Sequence, residues 1–103
     1  MYQRLSVNKT KSYYKQILNE TIAIVAHLLE QEPDVLTQNI YDQLVDIQKN
    51  VVVEGRYSDW EQINERYTLG AIAVKNYDED DEVYQRLCDI FAGAIMYSEL
   101  PDQ

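Results

Sequence analysis

Apolar side chains in this chain recur at steps of three and four residues in four stretches, separated by proline, glycine or polar runs. That period belongs to helices that bury one face. In "TKSYYKQILNETIAIVAHLLEQ", Tyr14, Leu18, Val25, Leu28 and Leu29 follow the step, with Thr21 filling the gap. Tyr13, Ile17 and Ile24 widen the stripe. The pattern predicts a helix over residues 10–31. Pro33 ends it, because the residue before a proline avoids helical geometry and proline lacks a donor.

A second helix is predicted over residues 37–54. Ile40, Leu44, Ile47 and Val51 make its main row, with Tyr41, Val45 and Val52 alongside. Thr37 is the expected N-cap, although Pro33 allows a start one turn earlier, and Gly55 supplies the stop. The β-branched run Val51–Val52–Val53 is also compatible with a short strand. The helical period runs straight into it, which favours helix. "SDWE", Ser58 to Glu61, fits a capping box and opens a third helix over residues 59–75. Its face is Trp60, Ile63, Tyr67, Ala71 and Val74. Gly70 lies inside, where it either permits a close crossing or divides the segment. The fourth helix is expected over residues 79–97, with Tyr84, Leu87, Phe91, Ala94 and Ile95 facing the core and Val83 and Ile90 beside them.

Four helices with short connections imply antiparallel neighbours. The expected fold is therefore all-α, a four-helix up-and-down bundle formed by one domain over residues 1–103. The length and the 46% hydrophobic content agree with a chain that builds a core.

Charge changes the picture next. Eighteen acidic and nine basic residues give a formal net charge of −9, which argues against nucleic acid or an anionic membrane as a direct partner. It favours a basic protein partner, or simply solubility. Arg4, Lys9, Lys11 and Lys15 precede the first acid, Glu20, and read as a solvated arm. With no signal-peptide core and no stretch of membrane-spanning length, a cytoplasmic protein is expected. The single cysteine, Cys88, falls among Leu87, Ile90 and Phe91 and reads as a buried reduced thiol.

Catalytic chemistry finds little support. One histidine, His27, cannot furnish the Glu-x-x-His steps of a di-iron bundle. Asp42/Asp46 and Glu61/Glu65 are carboxylate pairs four residues apart that fall between the apolar rows and so face solvent. No glycine-rich phosphate loop and no nucleophile–base set is present. No enzyme activity and no cofactor are expected.

The feature that remains is "NYDEDDEVYQRL", with five consecutive acids from Asp78 to Glu82. As a calcium loop counted from Asp78 it fails, since the sixth position is Val83 rather than glycine and the twelfth is Asp89 rather than glutamate. As a helix start it carries more negative charge than the helix dipole needs. Bundle topology brings Glu30, Glu32 and Asp34 to the same end, with Lys75 as the nearby counter-charge. Nine tyrosines add to this, because tyrosine is enriched at surfaces that are wet when free and dry when bound. The expected partner-binding set is Tyr77, Asp78, Glu79, Asp80, Asp81 and Glu82, with Glu32 and Asp34 at its rim.

In general build, and in "YDEDDEVY" most of all, the chain resembles the small acidic helical immunity proteins of bacterial toxin systems, including those of contact-dependent inhibition. The resemblance implies a tight complex with one cognate toxin, often a basic nuclease, whose active site is covered. Two other classes fit the same composition. One is a phage or host regulator that mimics nucleic-acid charge to block an enzyme, and the other is a homo-oligomeric helical adaptor.

Overall fold

The computed structural model describes residues 2–102. Among them the chain is all-α, with five α-helices and no strand. Helix α1 spans Lys11–Gln31, and its N-cap Thr10 accepts from the Tyr13 amide. Tyr14, Ile17, Leu18, Thr21 and Val25 are buried along it, but the stripe leaves the core near the C-terminal end, where Leu28 is exposed.

Helix α2, Val35–Ile47, starts before the expected position. Asp34, not Thr37, is the N-cap, and its carboxylate accepts from both the amide and the hydroxyl of Thr37, each at 3.1 Å. An aspartate two residues before Leu36 satisfies the first-turn amides better than a threonine already inside the helix. The helix then widens into a π-helical turn, Gln48–Val53, closed by the Glu54 amide on the Lys49 carbonyl at 2.9 Å. The valine run is thus helical. Gly55, at φ 62°, takes the left-handed conformation that ends the segment.

The predicted third helix is two helices, and this replaces the four-helix expectation. α3 is Trp60–Arg66 and α4 is Leu69–Asn76. The break falls at Tyr67, whose backbone is extended, and not at Gly70. Side chains from α2 hold it open. Asp46 accepts from the Tyr67 hydroxyl and from two nitrogens of Arg66, at 2.7 and 2.9 Å. Gln43 accepts from the Thr68 amide at 2.8 Å and donates to its hydroxyl at 2.9 Å. Backbone groups freed by the break therefore find partners. The break also re-aims the helix: Trp60, Ala71 and Val74 are exposed, while Leu69, Ile72 and Ala73 are buried. The cap shifts by one residue from the predicted box. Asp59 accepts from the Gln62 amide, and the Gln62 side chain accepts from the Ser58 amide.

Helix α5, Glu82–Met96, starts at the end of the acidic run and continues into a 3₁₀ turn, Tyr97–Glu99. It runs antiparallel to α1. The Tyr14 hydroxyl donates to the Ile90 carbonyl at 2.7 Å, its ring meets Tyr97 at 5.4 Å, and the Lys11 amide donates to the Pro101 carbonyl. Gly93 makes this approach possible, because a Cβ there would strike the Tyr14 ring and lie 2.9 Å from Leu5. Gly70 serves a similar crossing of α4 on α5, where a Cβ would lie 3.3 Å from the Phe91 ring.

Candidate partner-binding surface

Because α1 and α5 are antiparallel, the turn between α1 and α2 shares an end of the molecule with the approach to α5. Tyr77, the C-cap of α4, is half-buried against the core. Burial, and then the charges of Asp81 and Asp34, push its hydroxyl above the ordinary tyrosine value. Asp34 and Asp81, one from each acidic stretch, thus both act on this phenol. Glu32 is the C-cap of α1, and Glu30, Glu32 and Asp34 are all exposed.

The five acids of the run are exposed but not equivalent. Asp81 caps α5 by accepting from the Val83 amide at 2.8 Å. Glu82 accepts from Arg86 Nε at 2.8 Å, one turn along the helix. Asp78 and Glu79 are held by their backbone carbonyls, which accept from the Asp81 amide and the Gln85 side chain. Among the described residues no side chain pairs with the carboxylates of Asp78, Glu79 or Asp80, and Lys75 makes no ion pair. Local structure uses two of the five charges.

Beside this end lies a groove of about 610 Å³ lined by Leu29, Pro33, Asp34, Val35, Gln38, Asn39 and Asp42. Val35, the first residue of α2, is 88% exposed. Side-chain spacing does not reveal the groove, because Leu29 keeps the period of the core positions and Val35 stands outside any periodic row.

The middle of α5 holds two charged groups that hydrophobic periodicity also missed. Asp89 is buried and accepts from the Tyr2 hydroxyl at 2.6 Å, from Arg4 at 2.9 and 2.8 Å, and from the Leu5 amide at 3.0 Å. Burial pushes its carboxyl up, but the bonds from Arg4, Tyr2 and Leu5 outweigh it and hold the group below the usual carboxylate range. Arg86 is buried too, donating to Glu82 and to the Thr21 hydroxyl, with the Tyr2 ring 4.6 Å from its guanidinium carbon. The N-terminal arm is therefore not a solvated tail at Arg4, which clasps α5. Lys11 lies 3.5 Å from Asp102.

The remaining candidates have structural explanations. Asp46 is not a free surface carboxylate: the Arg66 bonds hold its carboxyl down against burial, with Tyr67 and Asn50 adding to the effect. Asp42 accepts from Gln38, and Glu61 and Glu65 are exposed. Cys88 is half-buried, and burial raises its thiol above the ordinary value, so it is not an activated nucleophile. Among the described residues no three His, Cys, Asp or Glu side chains converge as a metal-ligand group. No helix there is long and apolar enough to cross a membrane.

A family model, Tsi6, matches residues 13–95. No curated protein and no solved structure matches the chain.

Proposed function

The chain belongs to the Tsi6 family, a toxin-immunity family of the type VI secretion kind, and we propose that it neutralises one cognate toxin by binding over that toxin's active site. The family points to a non-catalytic inhibitor with a toxin partner. It narrows the earlier resemblance, since it belongs with type VI secretion and not specifically with contact-dependent inhibition. The toxin presents a basic surface to the acidic end formed by Tyr77, Asp78–Glu82, Glu32 and Asp34. A nuclease domain, with its basic substrate cleft, is one toxin class of that kind.

The observation that carries this docking mode is the set of three carboxylates, Asp78, Glu79 and Asp80, that the described fold leaves without partners. Charge of this kind accelerates encounter with a surface of opposite sign, and its effect falls as salt rises. The test uses a candidate toxin domain taken from the genes that flank this one. Replacing Asp78, Glu79 and Asp80 together by serine lowers the association rate about tenfold at low ionic strength and flattens its salt dependence. Association rates unchanged at both low and high salt would place the docking surface elsewhere.

A further inference from the structure

We propose that the groove at the α1–α2 turn seats an apolar side chain of the toxin flanked by lysine or arginine, with Val35 as the contact that fixes residence time. This rests on the immunity reading above and names where the durable part of the binding energy comes from. Val35 is 88% exposed, and the fold does not use it: the helix start is secured by Asp34 and Thr37 instead. An apolar residue so exposed at a helix start contributes nothing to the core. Here it stands beside Pro33 and the half-buried Leu29, which give the groove its apolar lining.

The rim determines the chemistry of the occupant. Asp34 and Asp42 border the groove, Glu30 and Glu32 are exposed on the adjoining turn, and no basic residue lines it. Among the described residues the Asp42 carboxylate accepts only from the neutral Gln38 amide, and Asp34 only from the Thr37 amide and hydroxyl. An apolar floor within an acidic rim fits an apolar anchor carried among cations, with the rim excluding water from the contact. A second copy of this chain is a poor occupant. Symmetric docking would bring two acidic rims face to face on molecules of net charge −9. Asp34 also links the groove to the acidic run through Tyr77, so one partner can engage both.

The test compares Val35→Asp and Val35→Leu in binding to a candidate toxin domain taken from the genes that flank this one, with thermal melts of the free proteins as a folding control. Val35→Asp places an acid in the first turn of α2, where the helix dipole favours it, so the free protein melts as before. The dissociation rate rises at least about tenfold while association is not slowed, and Val35→Leu keeps the slow dissociation. Dissociation unchanged in Val35→Asp overturns the groove as the anchor site and leaves the immunity reading standing. No binding of the toxin by the unaltered protein overturns both. A self-association that sedimentation detects in the unaltered protein and not in Val35→Asp would assign the groove to a second copy and overturn the proposal.

Discussion

The approach to α5 and its middle lie a few turns apart, and they treat charge in opposite ways. At Asp78, Glu79 and Asp80 the carboxylates face water without a cation, and the chain is anchored there by backbone carbonyls instead. At Asp89 one carboxylate gathers four hydrogen bonds from three residues of the N-terminal arm, and Arg86 nearby is enclosed by Glu82, Thr21 and the Tyr2 ring. A buried charge is tolerated only when it is paired and fully hydrogen-bonded, whereas an exposed one contributes little to stability. Charge in the middle of α5 therefore holds the fold together. Ahead of its start, the carboxylates of Asp78, Glu79 and Asp80 are left unpaired among the described residues.

The largest expected effect tests the packing that surrounds the paired charges. Gly93→Ala drives a methyl group into the Tyr14 ring and Leu5, and overpacking of this kind costs about 3 kcal/mol. Chemical denaturation measures it, and a loss below about 1 kcal/mol would mean that α1 and α5 separate easily.

Asp89→Ala comes next. It leaves the buried Leu5 amide without its acceptor and frees Arg4, which is already 43% exposed, so the expected loss is about 2 kcal/mol. Its pH dependence sharpens the assignment. The folded carboxyl lies below its unfolded value, so its contribution is complete above the usual carboxylate range and disappears as pH falls through the depressed folded value. The unaltered protein should lose stability between neutral and acid pH, and Asp89→Ala should lose less. Equal acid losses in the two proteins would assign the effect to other carboxylates, Asp46 first among them.

The smallest effect is expected where charge is free. The serine triple variant at Asp78, Glu79 and Asp80 should denature within about 0.5 kcal/mol of the unaltered protein, since exposed charges of one sign add little to stability. A loss of 2 kcal/mol or more would erase the contrast between the two regions.

Part of this arrangement was legible from side-chain spacing. The first long helix, observed over Lys11–Gln31, the helical character of the valine run and an excess of charge ahead of the last helix follow from period, proline and composition. The break at Tyr67 was not legible, because Ile63, Tyr67 and Ala71 keep helical spacing across it. Only the placement of Gln43 and Asp46 on α2 makes two short helices better than one long one. The clasp on Asp89 was hidden for a related reason. An aspartate and an arginine within an amphipathic stretch read as solvent-facing until distant residues arrive to meet them, Arg4 and Leu5 at Asp89 and Thr21 at Arg86.

The sequence by itself determined where helix forms, apart from the break at Tyr67, through the local chemistry of period, caps and breakers, and it determined how much negative charge the chain carries. The tertiary structure alone decided which charges are consumed and which stay free. A carboxylate's role depends on what lies within hydrogen-bonding reach, and for Asp89 those neighbours come from the opposite end of the chain. For Asp78, Glu79 and Asp80 the described fold brings none.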